Sequence, residues 1–171
     1  MPARTRDLLL TLHVLTSIGW FGAVVVFLVL AILGLTSAQP QITTAAYLSM
    51  DVASAYVIVP LCAASLATGV VQSLATRWGL LRHYWVVIKL VLTVLATAVL
   101  LLHTLPIGEM ARMALTMPIA AADHRGMRIQ LVFDASAALV VLTVVTGLGV
   151  LKPRGMTRRG RRFAAAAGKR S

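Results

Sequence analysis

The chain has 171 residues, 59% of them apolar and 12% charged, with a mean hydropathy of +0.89. That balance excludes an ordinary soluble domain, where about 45–50% of residues are apolar and about 25% charged. Sixteen Lys and Arg against five Asp and Glu give a net charge of +11, and the single cysteine, Cys62, excludes an intramolecular disulfide or a C-x-x-C pair.

A bilayer core of about 30 Å needs about 20 consecutive apolar residues in a helix. Four stretches meet that length: 8–35, 52–75, 85–105 and 131–151. The expected fold is therefore all-α: a polytopic four-helix membrane bundle spanning 1–151, followed by a basic tail, 152–171, read as unstructured. The first stretch follows Arg4 and Arg6 and runs for 28 residues. A cleaved signal peptide has an apolar region of only about 7–15 residues, so this helix is expected to be retained.

The loop 36–51 contains no Lys or Arg, while 76–84 holds Arg77, Arg82 and His83. The connection 106–130 is mixed, with Arg112, Arg125 and Arg128 against Glu109 and Asp123, and the tail carries eight cations and no acid. Cytoplasmic loops carry the excess of Lys and Arg, so both termini are expected in the cytosol. Anionic lipid headgroups are the expected partner of the tail. Nucleic acid is not, since Phe163 is the tail's lone aromatic residue for base stacking.

Local signals refine these helices. Pro60 is expected to disturb the second. Pro106 is read as ending the third, and Lys152-Pro153 the fourth. Trp78, Tyr84 and Trp85 form an aromatic belt at the inner turn. Ala63/Ala67 and Ser65/Gly69 allow close helix approach. Met110, Met113 and Met117 recur at helical spacing, which predicts a short interfacial helix in the third connection.

Ionisable residues within spans are costly and mark candidate sites. His13 and Lys89 fall in an inner layer. His103 and Asp134 fall in an outer one, about 21 Å away by the helical rise. His13 shares a helix face with Ser17 and Trp20. It is either a neutral imidazole bonded to a neighbour or a cofactor ligand, since histidine is a common axial ligand of haem iron. Lys89 either snorkels to headgroups or faces a ligand. Asp134 either lies at headgroup level or forms a buried polar pair with His103. No enzyme motif of the G-x-S-x-G, H-E-x-x-H or phosphate-loop type occurs.

The run from His13 to Gly22, His-Val-Leu-Thr-Ser-Ile-Gly-Trp-Phe-Gly, resembles the first helix of small four-helix bacterial membrane proteins of the HemJ-like and copper-resistance-D-like kind. The run Trp85-Val-Val-Ile-Lys-Leu-Val-Leu92 resembles their third. The likeness covers most of residues 8–105 and rests on short motifs. It implies a four-helix bundle. The HemJ-like members imply haem b, with His13 as axial ligand and Lys89 matching the family lysine. The expected function is that of a small membrane scaffold or accessory protein, in an oligomer or membrane complex. The alternatives are a haem-b redox protein using His13, and copper transport using the three methionines. A reporter active only in the cytosol is expected to be active when fused after Ser171. Activity of a periplasmic reporter at that position would overturn the predicted orientation.

Overall fold

The computed structural model describes residues 3–75, 79–116, 124–153, 155–158 and 160–162. Its elements are α1 (Ala3–Thr36), α2 (Pro40–Ala53), a π-helical turn (Ser54–Ile58), α3 (Val59–Ala75), α4 (Tyr84–Thr116) and α5 (Arg125–Leu151). The π turn joins α2 to α3, so Pro40–Ala75 is one span and four helices are long and apolar enough to cross a membrane. Four alternating passes put the start of α1 and the end of α5 at one end of the bundle, called proximal below. The opposite end is distal.

Little of each span is covered by the other helices. Between 11% and 28% of the most apolar window of each is buried. Leu102, Leu105, Phe133 and Val150 are each at least 70% exposed. In water an apolar surface of this extent would drive aggregation. In hydrocarbon it costs nothing, because lipid tails are as apolar as the side chains.

α1 starts at Ala3 rather than 8, and three boundaries at the distal end differ from the sequence expectation for one reason. The second helix starts at Pro40, not 52, so most of the expected loop 36–51 is helical. Proline suits a first helical position. Thr43, Ala46, Tyr47 and Met50 then form a buried stripe at i, i+3, i+4, i+7. The third helix does not end at Pro106 but runs to Thr116. Pro106 removes one backbone donor. Burial of Ile107, Met110, Ala111 and Ala114, again at i, i+3, i+4, i+7, offsets that loss. The expected interfacial helix is thus the last turns of α4. Met110 is fully buried and Met113 half-buried, while Met117 lies outside the described residues. The fourth helix starts at Arg125 rather than 131, with Arg128 and Leu131 on its buried face.

The disturbance at Pro60 takes the form of the π turn before it. The Val59 amide donates to the Ser54 carbonyl five residues back. A widened turn of this kind relieves the clash of a proline ring with the preceding turn.

The added turns meet at the distal end. Tyr47, Met50, Met110 and Arg128 are all at most 1% exposed there. The Arg128 Nε donates to the Tyr47 hydroxyl at 2.9 Å. Its Nη2 donates to the carbonyls of Gly34 and Leu35. These are last-turn carbonyls of α1, which have no partner within their own helix. A guanidinium suits them by geometry and by charge. Gly34 is required by close approach, since a Cβ there would lie 2.9 Å from the Tyr47 ring. The Thr44 hydroxyl donates to Ala114 O at 3.2 Å and ties α2 to α4.

At the proximal end Lys152 leaves α5 with φ 43 and the chain turns back. Of the tail beyond Pro153, residues 155–158 and 160–162 are described, and they lie along the turn before α4. The Thr157 amide donates to Arg82 O at 2.9 Å, and His83 and Met156 form an antiparallel bridge. The rest of the tail lies outside the described residues.

Arg128→Leu strands the Tyr47 hydroxyl and two carbonyls. It is expected to cost on the order of 2–4 kcal/mol, read as a lower thermal midpoint in detergent. Tyr47→Phe removes one of these bonds and is expected to cost about 1 kcal/mol. Equal losses in the two variants would show that Arg128 contributes nothing by capping α1.

Candidate functional site

Two polar layers cross the bundle. In the proximal layer, His13 of α1 turns toward α3. Its Nδ1 lies 3.1 Å from the Ser65 carbonyl and 3.2 Å from the Thr68 hydroxyl. A carbonyl can only accept, so Nδ1 carries the proton. The Thr68 hydroxyl donates its own hydrogen to Ala64 O at 2.7 Å and is free to accept from the same Nδ1–H. Nε2 is then the lone-pair nitrogen, and it has no polar partner among the described residues.

The rest of that α1 face follows. Ser17 and Ser65 share a hydroxyl–hydroxyl bond of 2.7 Å. Trp20 is in the core. The small residues of α3 permit this seam, since a Cβ at Gly69 would sit 3.0 Å from the His13 ring.

Lys89 of α4 lies in the same layer. Its Nζ stands against Gly149 of α5, where a Cβ would be 3.4 Å away. The side chain is half-buried. No carboxylate pairs with it among the described residues. The structure therefore brings His13 and Lys89 to one level of the bundle.

In the distal layer, His103 of α4 meets Asp134 and Gln130 of α5. His103 Nδ1–H donates to Val99 O at 2.8 Å, which leaves Nε2 to face the other two. Nε2 lies 3.0 Å from Asp134 Oδ2 and 2.9 Å from the Gln130 amide nitrogen. A carboxylate demands a proton on Nε2, while an amide NH₂ demands a lone pair. Oδ2 is sealed from its surroundings and has no other donor. A proton shared between Oδ2 and Nε2 satisfies both atoms, with the Gln130 amide turned to suit. The two side chains are 22% and 24% exposed, so the pair is half-buried rather than enclosed. It ties α4 to α5.

The remaining candidates separate. His13 and His103 belong to opposite layers and cannot share an iron. His83 is held at the proximal turn by its bridge to Met156. His124 is exposed at the distal start of α5. Among the described residues no group of three or more His, Cys, Asp or Glu could hold a metal ion. Met110, read as a possible copper ligand, packs in the distal core with Tyr47 and Met50. Cys62 is buried and its thiol meets the Thr97 hydroxyl at 3.1 Å.

Three partners escape the sequence reading. Ser65 is legible only as a small residue for close packing, and Thr68 carries no signal there. Arg128 was counted as a loop cation, although it stands three residues before Leu131 on the apolar stripe of α5. The chain matches no protein-family model, and no curated protein or solved structure matches it.

If His103 and Asp134 form an ion pair, removing either leaves the other unpaired at about 1–3 kcal/mol. His103→Ala and Asp134→Ala are each expected to lower the thermal midpoint in detergent. The double variant is expected to fall little further. Fully additive losses would show that the two side chains act independently.

Proposed function

We propose that this is a multi-pass protein of a bacterial cytoplasmic membrane that binds haem b through His13. We further infer that its proximal end faces the cytosol. That orientation rests on charge. Thirteen of the sixteen Lys and Arg, and one of the five acids, lie by chain position at the proximal end. Such an excess of cations is retained on the cytoplasmic side.

The haem reading rests on one observation, the state of the His13 ring. Its Nδ1–H is anchored by a carbonyl and a hydroxyl, and Nε2 is left as an unpartnered lone pair. Metal-bound imidazoles are held in this way, with the second nitrogen donating to a protein acceptor that sets tautomer and ring orientation. Lys89 supports the same reading, as a cation that no carboxylate pairs with among the described residues and that can meet a haem carboxylate. The residues fit one axial ligand and one carboxylate partner.

Haem b bound there would supply one-electron redox chemistry. The chain's part is to orient the imidazole, keep Nε2 unprotonated and offset the carboxylate charge. The resemblance of the His13–Gly22 and Trp85–Leu92 runs points the same way. With these roles and no assigned catalytic base or nucleophile, the protein acts as a small accessory or scaffold protein of membrane redox chemistry.

Protein purified from haem-replete cells is expected to show a Soret band. His13→Ala is expected to abolish or shift that band while the chain still inserts. Lys89→Met is expected to retain the band with weaker haem retention. A colourless wild-type protein would overturn the haem reading and leave the membrane fold untouched.

A further inference from the structure

The basic tail does not simply follow α5. It is fastened to the turn before α4, and Thr157 is the fastening. Its backbone amide donates to Arg82 O at 2.9 Å, and its hydroxyl donates to Leu81 O at 2.7 Å. The same hydroxyl accepts from the Gly160 amide at 3.1 Å, and Arg161 N donates to Thr157 O at 3.0 Å. Thr157 thereby starts one helical turn and pins it to the rest of the protein. The Tyr84 amide adds a longer bond to Gly155 O at 3.4 Å. Gly160 is buried, and a Cβ there would collide with the Arg82 carbonyl oxygen. Both Thr157 and Gly160 are thus required by the contact and not by the charge of the segment.

The consequence is a fixed set of cations. Arg158, Arg161 and Arg162 sit on the pinned turn and are exposed. By sequence there is no acid anywhere in 76–108 or 135–171. Fastening cations beside one another is unfavourable unless an anion joins them. Their position says which anion. α5 ends at Leu151 and α4 starts at Tyr84, so the clasp begins within four residues of one span end and abuts the other. That is headgroup level, and Tyr84 and Trp85, amphipathic aromatics of the kind found there, open α4 at this level.

We propose that residues 155–158 and 160–162 form a clasp that presents a preorganised binding surface for the phosphates of anionic phospholipids. The clasp goes beyond a polybasic tail attracted to a charged membrane. A loose tail would respond to the number of its charges, whereas the clasp responds to how they are held. It does not depend on His13 or on haem.

The test keeps the charge constant. Full-length protein in a neutral detergent is titrated with phosphatidylglycerol or phosphatidylcholine, and the thermal midpoint is followed. Phosphatidylglycerol is expected to stabilise wild type and phosphatidylcholine is not. Thr157→Val and Gly160→Val keep all sixteen Lys and Arg. Both are expected to weaken the phosphatidylglycerol response about tenfold or more, the order expected for releasing two or more cations from the surface. Thr157→Ser keeps the hydroxyl and is expected to retain it. Because the clasp lies outside the spans, correct insertion of each variant is checked with a fusion reporter. A full response in both Val variants would overturn the proposal, because charge number alone would then suffice. So would equal responses to the two lipids, or a duplex oligonucleotide competing phosphatidylglycerol away at equal phosphate concentration.

Discussion

Helices already immersed in hydrocarbon gain no hydrophobic free energy by meeting one another, so van der Waals contact and interhelical hydrogen bonds must hold them together. The inside of this bundle follows that constraint. α1 meets α3 through His13, Ser17, Ser65 and Thr68. Cys62 meets Thr97 between α3 and α4, and His103 meets Asp134 between α4 and α5. Each of these seams carries a polar tie. Trp20, Phe27 and Leu142 pack inside, while Leu102, Leu105, Phe133 and Val150 point outward, where lipid takes them.

The distal end is built on different terms. There the chain adds turns beyond the length a membrane demands, and those turns bury Tyr47, Met50, Met110 and Arg128 almost completely. Where the surroundings are wet, apolar burial stabilises by about 25 cal/mol per Å², and a compact core returns. Arg128 joins three elements of that core by donating to carbonyls of α1 and to Tyr47 of α2 from the first turn of α5. Its burial is tolerable because the Gly34 and Leu35 carbonyls are fixed acceptors that would otherwise be stranded at a helix end.

Charge divides between the two ends in the same way. By chain position the proximal end gathers most of the cations, and it holds the tied imidazole of His13. By chain position the distal end has four of the five acids, beside the packed core. A ligand site in the proximal layer and a lipid surface just beyond it would therefore occupy one face of the membrane, with the distal core fixing the helices that carry them.

The number of spans, their alternation and the charge asymmetry were legible from residue order, because length and apolarity are one-dimensional properties and hydrocarbon imposes them directly. The two layers were legible too, since depth follows from the rise per residue. What residue order left open was every choice between burial and exposure for a polar group. Arg128 read as one cation among three in a loop, because nothing local says that it faces carbonyls of Gly34 and Leu35, 94 and 93 residues away. Pro106 read as a helix end, because its missing donor is local while the packing of Ile107 and Met110 is not. The tautomer of His13 depends on a carbonyl 52 residues on, and the hold on the tail depends on Thr157 meeting Leu81 and Arg82. Long-range hydrogen bonds carry no periodicity, so they leave no pattern in the chain and exist only once the helices have met.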